Sequence, residues 1–174
     1  MKLFRKKDGG IVQLIDKEKM EKWTVELPLI FVEYIRSSKL DSYNDSKVKK
    51  EVENYLDEVL EDVAVPRLIK VLEGENNEEI IDALKRIKDI AKDNLDMTRP
   101  VKPYLEDLSN NKDKEISKLA NDILDLFKKE ERRKELAEKR KVMKNKEEKF
   151  LAGEISAEEY AKARKDYLTF RDNR

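Results

Sequence analysis

The sequence contains no cysteine and no histidine among its 174 residues. It therefore cannot form a disulfide, a metal site with histidine or cysteine ligands, or a catalytic triad or dyad that depends on either residue. A glycine-rich loop that could hold a phosphate is also missing, and no pair of acidic residues stands out as a general acid and base. These absences predict a protein that is not an enzyme and that uses no metal, no cofactor and no small-molecule substrate.

Long apolar segments are missing as well. The longest apolar run, residues 27–32, is much shorter than the roughly 20 residues of a membrane-spanning helix. The first residues are basic, as in a signal peptide, but no apolar stretch follows them. We therefore expect a cytoplasmic protein that does not associate with a membrane. Abundant lysine and glutamate with a single glutamine are typical of thermophilic proteins, although an AT-rich genome produces the same bias.

Glycine is scarce, and its positions are informative. Between Gly10 and Gly153 only Gly74 interrupts the chain, and the apolar residues of this stretch recur with a helical period. The best candidate strand, residues 10–15, is short and could equally be a docking segment. The 39 basic and 39 acidic residues balance to zero net charge, which argues against a disordered chain. The sequence predicts an all-α fold.

Proline, glycine and capping residues mark the ends of the predicted helices. Pro28 should lie in the first turn of a helix that runs to about Ser38. The predicted apolar face of this helix carries Ile30, Phe31, Tyr34 and Ile35. Ser46 is predicted as the N-cap of the next helix, and Pro66 opens a short helix that Gly74 ends at the C′ position. The later helices are predicted to start at Asn76 or Asn77, at the pair Pro100 and Pro103, and at Asp113.

The chain repeats itself when it is shifted by 36 residues. Nine pairs of apolar positions then coincide: Val65/Val101, Leu68/Tyr104, Ile69/Leu105, Leu72/Leu108, Ile80/Ile116, Ala83/Leu119, Leu84/Ala120, Ile87/Ile123 and Ile90/Leu126. A short helix, an asparagine-rich turn and a longer helix, repeated at this length, are typical of a helical solenoid.

Residues 65–87 and 101–123 each resemble a HEAT repeat, and the resemblance covers roughly residues 28–127. It implies a short α-α solenoid of two to three helical hairpins, which present a surface to other proteins. The sequence departs from the HEAT pattern at Ile81 and Ser117, where an arginine is common. A generic α-helical bundle remains the alternative.

A basic segment follows the repeats. Residues 128–149 contain eleven basic and six acidic residues, for a net charge of +5, and lack glycine and proline. An unbroken helix from Asp113 to Ala152 would be on the order of 60 Å long and would protrude from the core. Such a charged helix is either simply solvated or a phosphate-binding surface. The candidate phosphate-binding residues are Lys128, Lys129, Arg132, Arg133, Lys139, Arg140 and Lys141.

The end of the chain predicts a helical hairpin. Gly153 can end one helix in the left-handed conformation, and Ser156 with Glu159 forms a capping box that starts another. We expect Phe150, Leu151 and Ile155 to pack against the second helix. The pattern of residues 150–168 resembles the SHOCT motif, which implies oligomerisation or tethering, although an ordinary capped turn has the same features. The candidate protein-binding residues are Phe150, Leu151, Ile155, Tyr160, Tyr167 and Leu168.

These features predict four segments: a basic, partly extended N-terminal segment (1–22), a HEAT-like repeat domain (23–127), a basic solvated helix (128–149) and a SHOCT-like hairpin (150–174). The predicted function is that of a protein–protein interaction adaptor or oligomerisation factor, whose partner is another protein or a second copy of the chain. The alternative is a ribosome- or RNA-associated factor that binds phosphates through the basic helix and the basic N-terminus.

Overall fold

The computed structural model describes residues 2–5, 11–14, 17–43 and 45–173. The fold is all-α, as predicted. Its α-helices are α1 (Leu27–Ser38), α2 (Ser46–Val59), α3 (Val65–Leu72), α4 (Asn77–Asp93), α5 (Lys102–Leu108), α6 (Lys114–Leu151) and α7 (Ala157–Asp172). The chain divides into two compact units, Met1–Leu124 and Asp125–Arg174, here called the N-terminal unit and the C-terminal unit.

Two short strands precede the helices. Strands β1 (Lys2–Arg5) and β2 (Ile11–Leu14) pair in an antiparallel arrangement, with Leu3 opposite Gln13. The predicted strand candidate is thus a strand over Ile11–Leu14, while Gly10 and Ile15 lie outside the described residues. The basic residues Lys6 and Lys7 also lie outside them.

A 3₁₀-helix at Lys17–Lys22 connects the strands to α1, and Arg67 of α3 holds it in place. The Arg67 guanidinium donates hydrogen bonds to the backbone carbonyls of Met20, Trp23 (2.9 Å) and Thr24 (3.2 Å). The Met20 side chain is fully buried. This segment is therefore folded onto the N-terminal unit rather than extended.

Helix α1 buries a different face from the predicted one. Val32 and Ile35 are 3% and 7% exposed, whereas Ile30 and Tyr34 are 50% and 51% exposed. The prediction was wrong for Ile30 and Tyr34 because this helix is apolar on most sides, so that periodicity alone does not define the buried face. Packing on the segment that follows α2 selects Val32 and Ile35 instead.

Helices α2 and α3 are joined without a loop. The π-helical residues Leu60–Ala64 connect them in one helical run. Pro66 lies in the first turn of α3, as predicted; since proline has no N–H to donate to a preceding carbonyl, the widened π turn accommodates it within the run. The N-cap of α2 is Asp45, whose carboxylate accepts the N–H of Lys47 at 2.8 Å, so the prediction of Ser46 was wrong by one residue.

The repeat positions contribute to the core of the N-terminal unit. In four of the nine matched pairs both side chains are buried: Val65/Val101, Ile80/Ile116, Leu84/Ala120 and Ile87/Ile123. Ion pairs join α4 to α6, from Lys85 to Glu115 (3.1 Å) and from Lys88 to Asp122 (2.7 Å). Because residue numbers rise along both helices in these pairs, α4 and the first part of α6 run side by side in the same direction.

Local chemistry sets the helix ends. Asn76 caps α4 by accepting the N–H of Glu78, and Asp113 caps α6 by accepting the N–H of Glu115. Gly74 follows the C-cap of α3, as predicted, but only Gly153 has a positive φ among the glycines of the described residues. At 38 residues, α6 is about 57 Å long.

Candidate interaction surfaces

The turn between α6 and α7 has the predicted geometry. Gly153, with φ of 74°, donates to the carbonyl of Phe150 (3.0 Å), and Glu154 donates to that of Lys149 (2.9 Å), which together form a Schellman motif. The Ser156 hydroxyl then accepts the N–H of Glu159 at 3.2 Å and caps α7. The chain thereby reverses direction and forms a helical hairpin within the C-terminal unit.

Close to the turn, α6 and α7 are joined by aromatic and polar contacts. The rings of Phe150 and Tyr160 stack, with centroids 5.5 Å apart and planes 10° apart. The Tyr160 hydroxyl donates to Glu147 at 3.2 Å, and Lys146 lies 3.8 Å from the Glu159 carboxylate. Phe150 and Tyr160, both predicted as protein-binding residues, thus contact each other.

At the other end of the hairpin, Arg132 holds the C-terminus of α7. Its guanidinium donates to the carbonyls of Phe170 (3.0 Å) and Asn173, which have no partner within the helix that ends there. The guanidinium also lies 5.1 Å from the centre of the Phe170 ring, and Lys139 lies 5.2 Å from the same centre. Arg132 and Lys139, both predicted to bind phosphate, therefore stabilise the hairpin instead. The C-terminus of a helix and the face of an aromatic ring both attract positive charge.

The hairpin has no interior of its own. Among the described residues from 128 to 173, none is buried. The apolar side chains between the two helices are only half-buried: Leu136, Met143, Ile155, Ala163, Tyr167, Leu168 and Phe170. Leu151 is 78% exposed, so the expectation that it packs against α7 was wrong. It lies in the last turn of α6, next to the reversal of the chain.

The other predicted phosphate-binding residues lie on the exposed side of α6. Lys128 pairs with Asp125 at 3.1 Å, and Arg133 pairs with Glu130 at 2.9 Å. Within the described part of the chain, Lys129, Arg140 and Lys141 have no ion pair or hydrogen bond from their side chains. Their charge is therefore available to a partner.

A basic groove follows this side of the C-terminal unit, with a volume of about 700 Å³. Leu136 and Ala137 form its apolar floor, and Tyr167 of α7 contributes to its wall. Its lining includes one acidic residue, Glu148, and four cations: Arg133, Arg140, Lys141 and Lys144. Lys144 was not among the residues predicted to bind phosphate, although its spacing of four residues from Arg140 places both on one face of the helix.

A second groove, in the N-terminal unit, was not predicted. It lies between α1 and α4 and has a volume of about 910 Å³. Its floor is apolar, with side chains from four separate parts of the unit: Val32, Leu60, Ile90 and Met97. Its charged lining residues are Glu33, Arg36, Asp57, Arg86, Asp89 and Asp93.

The two arginines of this acidic groove are already neutralised. Arg36 is hydrogen-bonded to Asp57, and Arg86 pairs with Glu26 at 2.8 Å. In the described part of the chain, the carboxylates of Glu33 and Asp93 have no cationic partner. The rim of the groove is consequently negative, in contrast to the basic groove.

Other kinds of site are not found among the described residues. No three acidic side chains there come together in a way that could hold a metal ion. None of the helices described is both long enough and apolar enough to cross a membrane. Comparison of the chain with protein-family models, curated proteins and solved structures gives no match.

Proposed function

We propose that this protein is a non-enzymatic interaction adaptor or oligomerisation factor that docks through its C-terminal hairpin, with a second copy of the chain as its partner. One observation carries the proposal: α6 and α7 place apolar side chains along a common seam, yet none of the described residues from 128 to 173 is buried. Isolated units this small usually bury too little apolar surface to be stable, so covering the seam would stabilise the hairpin.

Among the large apolar side chains of the described residues, Leu151 is the most exposed, at 78%. Complete burial of a leucine contributes about 1.5–3 kcal/mol, which corresponds to roughly a tenfold to hundredfold change in a dissociation constant. Phe150, which is stacked on Tyr160, provides a rigid aromatic surface next to it. Large, ordered aromatic side chains with a nearby aliphatic residue are typical of the centre of an interface.

The HEAT-like and SHOCT-like assignments belong to this proposal. The same direction of α4 and α6 and the buried repeat positions support stacked hairpins in the N-terminal unit. The Schellman turn and the Ser156 cap support a hairpin module at the C-terminus. In both resemblances the implied role is to bind other proteins.

The test is the self-association of the full chain. Sedimentation equilibrium gives the dissociation constant of the wild type and of Leu151→Ser, for which we expect an increase of at least about tenfold. Val142→Ser is the matched control, because Val142 is also apolar and exposed on α6 but lies away from the turn. A wild type that stays monomeric, or equal dissociation constants for wild type and Leu151→Ser, would contradict the proposal.

RNA binding is the second candidate function, and the exposed cations Lys129, Arg140 and Lys141 favour it. Neutralising several phosphates makes binding strongly dependent on salt, with a decline in log K against log salt that follows the number of contacts. We expect ribosomal RNA to bind at low salt and to dissociate as salt rises, with a smaller slope for Arg140→Ala. Binding that does not depend on salt would exclude phosphate contacts.

A further inference from the structure

We propose that the two grooves bind each other between copies: the cationic face of α6, formed by Arg133, Arg140, Lys141 and Lys144, docks into the acidic groove between α1 and α4 of a second molecule. The inference rests on the proposed self-association and adds to it the cations of α6 and the acidic groove, while Leu136 and Tyr167 border both the hairpin seam and the basic groove. Each copy carries both halves of the contact, so that association can close into a pair or continue along a chain of copies.

Charge complementarity is the first argument. Residues 125–174 carry a net charge of +4, and residues 1–124 carry −4. Within the described part of the chain, Arg140 and Lys144 have no carboxylate partner on one surface, and Glu33 and Asp93 have no cationic partner on the other. Bringing the two faces together pairs charges that otherwise face solvent, which favours this encounter and disfavours wrong ones.

Spacing is the second argument. Arg140 and Lys144 are four residues apart on α6, and Asp89 and Asp93 are four residues apart on α4, so each pair rises by about 6 Å along its helix. The cationic face extends over residues 133–144, about 16 Å, and the α4 lining of the groove extends over residues 86–93, about 10 Å. A helix laid along the groove can therefore place one cation beside Asp93, which has no cationic partner among the described residues, and the next beside Asp89, where it would compete with the exposed pair that Asp89 forms with Lys92 (2.7 Å).

The third argument is that the acidic groove and the cationic face of α6 both carry apolar side chains next to their charges. The acidic groove has an apolar floor below its charged rim, where Ile90 and Met97 lie. The face of α6 carries Leu136 and Ala137 between its cations. An amphipathic helix in a groove is recognised in this way, with apolar side chains at the centre and charged ones at the rim.

A reciprocal charge exchange in the full chain tests the proposal. The acidic-groove variant is Asp89→Lys with Asp93→Lys, and the cationic-face variant is Arg140→Glu with Lys144→Glu. Each alone should self-associate at least about tenfold more weakly than the wild type, because like charges then face each other. An equimolar mixture of the two should recover association to within about threefold of the wild type, since the exchanged charges are complementary.

Matched variants control for net charge and folding. Glu75→Lys with Glu106→Lys makes the same change of charge at exposed positions outside the groove, and its dissociation constant should stay within about twofold of the wild type. Lys162→Glu with Arg164→Glu is the corresponding control on α7. Far-UV circular dichroism and Trp23 fluorescence confirm that each variant is folded before its association is measured.

The possible results separate this inference from the proposed function. Loss of association in each exchanged variant with recovery in the mixture supports it. Wild-type association of the exchanged variants, with loss in Leu151→Ser, overturns it while the hairpin remains the docking surface. Exchanged variants whose mixture does not recover also overturn it. Exchanged variants that associate like the wild type but lose RNA binding overturn it as well, and would assign the cationic face to nucleic acid. A monomeric wild type overturns both proposals.

Discussion

The N-terminal and C-terminal units use different means to hold their helices together. The N-terminal unit has a continuous interior, in which the largest fully buried side chains are Met20, Leu56, Leu68, Leu84, Ile87, Leu105, Ile116 and Ile123. The described residues from 128 onwards include no buried side chain and are joined by a stacked ring pair, a guanidinium cap and surface ion pairs. Helix formation is common to both units, but burial is not.

The stability of the two units should therefore respond differently to cavities and to salt. Burial of apolar surface depends little on salt and is lost when a cavity is created. Exposed ion pairs contribute little and are weakened by salt. A unit held by the second kind of contact alone is poorly stable, so the C-terminal unit is the one whose stability should depend on a partner.

The largest predicted difference between the two units is the loss of unfolding free energy when a leucine in each is replaced by alanine. Leu84→Ala removes a fully buried side chain of α4 and should cost about 2–5 kcal/mol of unfolding free energy. Leu136→Ala in the C-terminal unit should cost less than about 1 kcal/mol, because Leu136 is only half-buried. Urea unfolding gives both values, with fluorescence of Trp23 reporting the N-terminal unit and circular dichroism at 222 nm reporting all helices.

Equal losses for the two alanine variants would show that the hairpin has a core comparable to that of the repeats. A Leu84→Ala loss confined to the fluorescence signal would instead show that the two units unfold independently.

Arg67 tests how firmly residues 17–24 are held on the N-terminal unit. Arg67→Ala removes the guanidinium from three carbonyls, of which, among the described residues, only that of Met20 keeps another donor, the N–H of Trp23 (2.9 Å), and should cost about 1–3 kcal/mol. Arg67→Lys is the control: it keeps the charge but lacks the planar group that reaches several carbonyls at once, so it should recover only part of the loss. The measurement is urea unfolding followed by Trp23 fluorescence, whose maximum should also shift to the red in Arg67→Ala.

If both substitutions leave the unfolding midpoint and the fluorescence maximum unchanged, the carbonyl contacts of Arg67 are not what holds this segment. The buried Met20 would then be the main anchor.

The corresponding test in the C-terminal unit asks whether the guanidinium of Arg132 stabilises the C-terminus of α7. Arg132→Ala removes the donor to the last carbonyls of α7 and should cost about 1 kcal/mol of hairpin stability. Hydrogen exchange should then be faster at the amides of the last turn of α7. Lys128→Ala is the control: among the described residues Lys128 pairs only with Asp125, on its own helix, so its loss should leave exchange in α7 unchanged. Unchanged exchange in Arg132→Ala would show that α7 is held by its other end.

Helix positions could be predicted where the signal is local. Pro28, Asn76, Gly153 and Ser156 act through their own backbone or through bonds to residues two or three positions away, so their effects are visible in the sequence. The buried face of α1 could not be predicted in this way. It depends on which neighbouring helix covers it, and the covering residues are far away in the chain.

The candidate sites also could not be predicted fully, because they depend on contacts between residues far apart in the chain. Counting charges identified the basic segment, but the role of each cation depends on where α7 lies: Arg132 and Lys139 contact its C-terminal end, whereas Arg140 faces away. The acidic groove was missed because α1 and α4 contribute to it from positions some 60 residues apart. No sequence pattern within α1 or α4 indicates that the two helices lie on either side of a common groove.

The smallest predicted effect concerns Lys17, which contacts Asp62 (2.6 Å) and Glu58 (3.1 Å). The hydrogen bond to Asp62 is the main cause that raises the pKa of Lys17 above 10.5. Since the folded state binds this proton more tightly, the pair stabilises the fold fully below pH 10.5 and less as pH rises through the raised pKa. Being exposed, it should contribute less than about 1 kcal/mol. The difference in Tm between wild type and Lys17→Gln should therefore shrink between pH 9 and 12. Lys19→Gln, which changes an exposed lysine of the same segment, is the control and should show no such change. A constant difference for Lys17→Gln would mean that the lysine acts through packing and not through its charge.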